Sequence, residues 1–400
     1  MDWMLVHLPI AGAEIMMWKL VLIGFTVGVI GGFFGVGGAF MVTPALNVFG
    51  FPMSYAIGTD MAHMAGKSVV ATFKHRKLGN VDMKLGLLMV IFTGVGIELG
   101  AELVVWLEKI GRCGPVVRIV YMVLLLSLGT YMLYEYFTLR QRAKSGKVSD
   151  AGTSALARRL QRLELSPMVN LTVSGVRISL WIVGVVAFVT GFIAGFLGVG
   201  GGFIRMPTLM YVIGCPTTVA VGTDLFEVMI SGAYGAFTYA QKGKVELVAA
   251  VIMLLGAAVG AQFGTLATKY VKGLIIRFYF AITMLLSAVS VMLKHIGSEY
   301  RYFYEEAVRP FILQQTGKSE LGLAEMREWL VTNKDVFKTW LAGQSEAIRR
   351  AYALEKVWND YAGWLMLGAA CALSAIIIVA MIRGIAYERG LRAGAIKKVA

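Results

Sequence analysis

Apolar runs alternate with short polar stretches over most of this chain. Many runs reach about 20 residues, the length a helix needs to cross a hydrocarbon core of roughly 30 Å. The first run, 18–34, breaks at a glycine cluster and resumes as 39–50. That second piece would reach only about 18 Å as a helix, too short to span. Pro52 then opens 53–73, a basic loop covers 74–84, and runs 83–107 and 116–137 follow. After a hydrophilic stretch the pattern restarts: 178–196, a glycine break, 203–214, Pro216, then 217–240, 245–267 and 273–293.

The restart repeats residues as well as pattern. Gly32-Phe33-Phe34-Gly35-Val36-Gly37-Gly38 matches Gly195-Phe196-Leu197-Gly198-Val199-Gly200-Gly201. Pro44 and Pro207 follow at the same distance. Gly50 and Pro52 match Gly214 and Pro216, and Gly58-Thr59-Asp60 matches Gly222-Thr223-Asp224. This many matches in register mean internal duplication. Glycine-rich backbone at membrane depth cannot face lipid, because its unpaired N–H and C=O groups would lack partners. Two short, glycine-interrupted segments at corresponding places of two halves point to a transporter's binding site.

The chain then divides as follows: an interfacial segment 1–17, read as a short helix carrying Trp3 with Trp18 beside it; repeat 1 over 18–137; a cytoplasmic linker 138–177; and repeat 2 over 178–293. A hydrophilic helical insert, 294–361, has no counterpart in the first half. A last crossing, 362–383, and a basic tail, 384–400, close the chain.

Composition agrees. Mean hydropathy is +0.70 and 16% of residues are charged, against about 25% in soluble proteins. The net charge of +14 falls largely in short loops, which points to the positive-inside rule rather than to nucleic acid. If each glycine-broken pair returns to its starting side, the loops 74–84, 138–177, 268–277 and the tail hold 20 Lys and Arg, and the opposite side holds 6. If the pair crosses instead, the bias falls to 15 against 11. The first arrangement makes the repeats inverted and puts 294–361 outside. The fold expected is an all-α polytopic membrane protein of two inverted repeats, each beginning with a glycine-broken helix pair, plus one extra C-terminal helix.

The segment after each break carries polar residues at helical spacing. Thr59, His63 and Lys67 share one face, with Asp60 beside them; Thr223, Glu227 and Ser231 match, with Asp224 beside them. Arg205 follows the second break. Ionisable residues in a membrane are costly and face a cavity or one another. Helix ends aimed at mid-membrane, with positive side chains and hydroxyls, suit a small anion. The substrate-binding residues expected are Gly37, Gly38, Thr59, His63, Lys67, Gly200, Gly201, Gly202, Arg205 and Thr223. Asp60, His63, Asp224 and Glu227 are expected to carry a coupling proton. Each has a structural alternative: Lys67 snorkelling, Arg205 paired with Asp224 or Glu227, the aspartates bracing broken helices, His63 a hydrogen-bonded core residue.

Enzyme signatures are absent. The glycine cluster lacks the strand before it and the Gly-Lys-Ser/Thr after it that a phosphate-binding loop requires. Four histidines and three scattered cysteines offer no metal site and no disulfide framework. No cofactor is expected.

The duplicated Gly35-Val36-Gly37-Gly38 with Pro44, Gly198 to Gly202 with Pro207, and the pairs Gly58-Thr59 and Gly222-Thr223 resemble the TauE/SafE family, also called TSUP or sulfite exporters, over roughly 18–294. The resemblance implies a bacterial inner-membrane carrier of sulfite, sulfonates, sulfoacetate, thiosulfate or related organic anions, with export favoured. Many members have Gly-Thr-Ser where this chain has Gly-Thr-Asp twice, which favours proton coupling, because added carboxylates oppose an anion unless neutralised. The partners expected are a small anionic substrate, protons, the lipid bilayer and, as an open option, further copies of the chain. The rival readings are a carrier of another small organic anion, and a membrane scaffold whose external insert binds a partner.

Overall fold

The computed structural model describes residues 5–34, 39–144, 155–199, 202–270, 273–318, 320 and 322–392. A β-hairpin, β1 (Leu5–Leu8) and β2 (Ala13–Met16), leads into α1 (Met17–Phe34). The short α2 (Ala39–Val48) follows, then α3 (Met53–Lys77), α4 (Met83–Lys109) and α5 (Cys113–Lys144). Between the halves lie α6 (Ala155–Gln161) and a second hairpin, β3 (Met168–Leu171) and β4 (Val176–Ser179). The second half repeats the first: α7 (Leu180–Leu197), α8 (Gly202–Thr208) continuing as a π-turn over Leu209–Ile213, α9 (Thr217–Gln241), α10 (Leu247–Ala267) and α11 (Gly273–Thr316). Two short helices, α12 (Leu323–Thr332) and α13 (Lys334–Ala342), precede the long α14 (Glu346–Arg392).

Among the described residues, seven helices are long and apolar enough to cross a membrane. Helices α3 and α9 have 25 residues each, enough for about 37 Å, but carry the ionisable residues that lower their hydropathy. The chain is thus a multi-pass helical membrane protein.

Three features differ from the sequence expectation. The segment before α1 is a hairpin rather than a short helix, and Trp18 lies in the first turn of α1; Trp3 lies outside the described residues. The hairpin recurs as β3–β4 ahead of α7, so the duplicated unit is longer than its apolar pattern. The insert has its own small core, and α11 and α14 run uninterrupted into it rather than ending at 293 and beginning at 362. Tyr304, Val308 and Ile312 of α11 pack there with Met326 and Phe337 of α12 and α13. Lys318 Nζ donates to Glu325 at 3.0 Å and holds that exposed carboxyl below its usual range.

The π-turn has a sequence cause. Gly50 stands six positions after Pro44, but Gly214 stands seven positions after Pro207. One extra residue inside a helix is accommodated as a single wide turn. It falls at Leu209–Ile213, between those two markers.

Packing exchanges elements between halves: α1 lies on α10, α4 on α7, α3 on α9 and α5 on α11. Gly24, Gly28 and Gly32 of α1 meet Met253, Ala257 and Ala261 of α10 in rising order, so this pair runs parallel. Gly191 and Gly195 of α7 meet Thr93 and Ile97 of α4 in the same way. Equivalent helices run antiparallel. In α3 and α9, Gly58 lies against Tyr239, Met61 against Gly235 and Ala65 against Gly232. In α5 and α11, Arg118 meets Ser298, Gly129 meets Leu285 and Tyr136 meets Phe278.

The loops gather at two ends. One, the insert end, joins the first hairpin, the α2–α3, α4–α5 and α9–α10 junctions and the insert. The other, the linker end, joins the α3–α4, π-turn–α9 and α10–α11 junctions, the second hairpin and the end of α14. A carboxylate pins each hairpin. Glu246 Oε2 accepts from Ile10 N at 3.0 Å and Ala11 N at 3.2 Å. Its equivalent Asp82 accepts through Oδ2 from Ser174 N at 3.1 Å and Ser174 Oγ at 2.7 Å. Asp82 Oδ1 also caps α4, accepting from Leu85 N at 3.1 Å. Asp82→Ala removes a cap and leaves two buried donors unpaired, so it should cost about 2–4 kcal/mol. Thermal unfolding in detergent checks this; a melting point equal to wild type contradicts the clamp.

Candidate functional site

Each α3–α9 partner brings its polar face to the interface. Asp60 and His63 of α3 are 0% exposed and Lys67 is 2% exposed; Asp224 and Glu227 of α9, with Arg205 of α8, are each 0% exposed. Six ionisable side chains, three from each half, are therefore buried as two clusters, one of Asp60, His63 and Lys67 and one of Arg205, Asp224 and Glu227. The helices cross near Ala65 and Gly232, within a turn or so of Lys67 and its counterpart Ser231.

The two clusters are chemically different. On the first-half side, Asp60 Oδ2 accepts from Thr43 N at 3.2 Å and Thr43 Oγ1 at 2.9 Å. His63 Nδ1 stands 3.5 Å from Asp60 Oδ1. On the second-half side, Arg205 Nη1 donates to Asp224 Oδ1 at 3.3 Å and also reaches Glu227 Oε2. Ser231 Oγ donates to Glu227 Oε2 at 3.0 Å. The first-half residue equivalent to Arg205 is apolar, Val42, so duplication has been followed by divergence at the centre.

Much of this polarity points at no protein partner. Asp60 Oδ1, both ring nitrogens of His63, Lys67 Nζ, Arg205 Nε and Nη2, Asp224 Oδ2 and Glu227 Oε1 are buried and lack a hydrogen bond. Native interiors satisfy nearly all such atoms, and a concentration of exceptions marks a functional place. The second glycine break adjoins the first-half cluster. Gly198 has φ +77° and ends α7; its carbonyl lies 3.5 Å from Thr43 Oγ1. A Cβ there would stand 2.7 Å from Ile57 Cα, so both conformation and space call for glycine. Tyr121 Oη donates to Leu197 O at 2.9 Å and fastens the same turn.

The family model for "Sulfite exporter TauE/SafE" matches residues 20–291. The chain belongs to the sulfite exporter TauE/SafE family. It is similar to the probable membrane transporter protein YunE of Bacillus subtilis, 24% identical over 287 residues, covering 70% of this chain and 98% of YunE. It is also similar to YdhB of Bacillus subtilis, a probable membrane transporter protein, 28% identical over 259 residues, covering 63% of this chain and 92% of YdhB. MJ0441 of Methanocaldococcus jannaschii, again a probable membrane transporter protein, is 24% identical over 227 residues, covering 55% of this chain and 71% of MJ0441. No solved structure matches the chain. This TauE/SafE protein is a membrane transporter rather than an enzyme, and the insert lies beyond the part that defines its family.

Of the expected residues, His63 and Lys67 are buried with Asp60 on α3, and Arg205 of α8 is buried with Asp224 and Glu227 of α9. Gly202 is the first residue of α8. Gly37, Gly38, Gly200 and Gly201 lie outside the described residues. The threonines are engaged elsewhere: Thr59 Oγ1 accepts from Glu246 N at 3.0 Å, and Thr223 Oγ1 accepts from Asp82 N at 2.9 Å. Each thus ties its own half to the other half's pinning carboxylate. Glu98 binds Tyr234, Thr238 and Lys242 at the edge of α4, away from both clusters. Sequence reading missed Thr43 and Tyr121, lone polar side chains inside apolar runs with no motif to mark them.

Proposed function

We propose that this transporter carries a small sulfur-containing anion of the sulfite, sulfonate, sulfoacetate or thiosulfate class by alternating access, together with protons, across a bacterial inner membrane. The observation that carries the reading is the burial of six ionisable groups, three from each half, with many of their polar atoms left without a hydrogen bond. His63, Lys67 and Arg205, with the glycine-broken turns, are the anion's partners. Asp60, His63, Asp224 and Glu227 are the proton carriers.

Charge explains why protons would accompany the anion. Together the two clusters hold three carboxylates against Lys67 and Arg205. A further negative charge in a dry interior is expensive unless a proton enters with it. The antiparallel course of equivalent helices supports an inverted repeat whose pseudo-two-fold axis lies in the membrane plane. Rocking one half on the other would then open the clusters to each side in turn. The charge bias of the loops supports a cytoplasmic linker end. The family's name, sulfite exporter, supports sulfite and export.

Purified protein in liposomes tests the reading. At least one of sulfite, sulfoacetate, thiosulfate or a simple sulfonate should cross well above the empty-liposome rate. Acidifying the side from which the anion enters should speed it severalfold. Flux no greater than in empty liposomes for all four would overturn the carrier reading. Flux indifferent to the pH gradient would remove the protons from it.

A further inference from the structure

Eight buried side-chain polar atoms without a hydrogen bond lie on α3: Asp60 Oδ1, both ring nitrogens of His63, Lys67 Nζ, Ser68 Oγ, Thr72 Oγ1 and both ring nitrogens of His75. At about 100° per residue these side chains fall within one half of the helix surface. Steps of three and four residues link Asp60 to His63 to Lys67, and Ser68 to Thr72 to His75. Side chains so spaced are neighbours about 5–6 Å apart, a gap that one water bridges. The adjacent pair Lys67 and Ser68 joins the two runs. Ser68 is 0% exposed, Thr72 5% and His75 4%. Arg76 and Lys77, next in the chain, are exposed. The series thus begins just under the linker-end surface and ends at Asp60.

The other half has no such series. The positions equivalent to Lys67, Ser68, Thr72 and His75 are Ser231, Gly232, Ala236 and Tyr239. Ser231 Oγ donates to Glu227 Oε2 at 3.0 Å, and Tyr239 Oη donates to Gly195 O at 2.6 Å. Toward the insert end, the hydroxyls of α3 are engaged as well: Ser54 Oγ donates to Glu108 Oε1 at 2.9 Å, and Thr59 Oγ1 accepts from Glu246 N at 3.0 Å. The unpaired groups therefore lead from Asp60 in one direction only. Buried polar atoms that lack a protein partner are met by ordered water. Hydroxyls and imidazoles can both donate and accept, which proton relay requires and anion binding does not.

We infer that this face of α3 is a hydrated proton path joining Asp60 and His63 to the linker end, with His75 as its entry. A proton binds one ring nitrogen of His75 and the other nitrogen releases one inward, by way of Thr72, Ser68 and Lys67 to His63 and Asp60. Only N–H and O–H bonds form and break. Lys74 beside His75, and Lys269 near Lys74, are the charged groups at the entry. Thr43 of α2 and Tyr121 of α5 face Asp60 at the inner end. The path rests on the carrier reading for its purpose but not for its hydration.

Radiolytic hydroxyl-radical labelling of the full-length protein in nanodiscs, read by mass spectrometry, tests the hydration, because the radicals form from water beside each side chain. After correction for intrinsic reactivity, His63 and His75 should label severalfold faster than Tyr239 and Met61, which are both 0% exposed. Thr72→Val should slow labelling of His63 and spare His75. In liposomes, Thr72→Val and His75→Tyr should each cut the pH-driven part of anion flux severalfold, whereas Thr72→Ser keeps it, with elution profiles showing all variants folded. Histidines that label no faster than Tyr239, or pH-driven flux untouched by both Thr72→Val and His75→Tyr, would overturn the path. Wild-type flux indifferent to the pH gradient sinks the proton part of the carrier reading and this path with it. Wild-type flux that follows the gradient, with unlabelled histidines, sinks this inference alone.

Discussion

Arg205→Met is expected to abolish flux of whichever anion the wild type carries and to lower the unfolding free energy by about 3–5 kcal/mol. The guanidinium reaches both Asp224 and Glu227, and all three side chains are 0% exposed. Removing it strands two carboxylates in a dry interior, and breaking a buried pair costs far more than the pair itself contributes. The double variant Arg205→Met with Glu227→Gln removes one stranded charge, so it should recover much of the stability but none of the flux. That split separates a structural ion pair from an anion partner. Arg205→Lys keeps the charge but loses the fork that spans two carboxylates, and should fall between. Thermal unfolding in detergent and liposome flux read the two effects. Wild-type flux in Arg205→Met would take the anion's path away from this cluster.

Gly28→Leu is expected to prevent assembly of the bundle. A Cβ at Gly28 would stand 2.4 Å from Ala257 O and 2.7 Å from Ala257 Cα, and the obstacle is backbone, which cannot rotate aside. Gly24 and Gly32 meet α10 just as closely, and Gly256, Gly260 and Gly264 of α10 return the contact. Membrane helices gain little from leaving lipid, so close van der Waals approach carries their association. A leucine would push α1 from α10 along the whole stripe. Ordinary overpacking costs about 1–3 kcal/mol; this substitution should exceed that and yield aggregate rather than a folded peak on size exclusion. Gly368→Leu is the control, since its Cβ meets nothing within 4 Å. A Gly28→Leu protein that elutes and melts like wild type would contradict this account of the α1–α10 contact.

The sequence made the bundle legible because hydrophobic length and glycine breaks are local signals. The duplication was legible because Gly-Thr-Asp and the prolines recur in register. The polar face of α3 and α9 followed from helical spacing alone, and its ionisable residues are buried. What stayed hidden was tertiary. Nothing in the order of residues says that Asp82 grips Ser174, 92 positions away, or that Glu246 grips Ile10. The two hairpins escaped because four-residue strands carry too few alternations to show period two. The roles of Thr59 and Thr223 were set by the approach of helices from the opposite half, which no local pattern encodes. The π-turn could have been found: a one-residue excess between two aligned markers is its signature.

We propose that the two equivalent halves meet the membrane in opposite sense. Lys77 and Gln241 are equivalent, both exposed, and each lies at the end of its polar helix. With the native cysteines replaced, Lys77→Cys and Gln241→Cys should react with an impermeant thiol reagent from opposite faces of sealed membranes, Gln241→Cys from outside and Lys77→Cys only after the membrane is opened. Labelling of both from the same face would contradict the account.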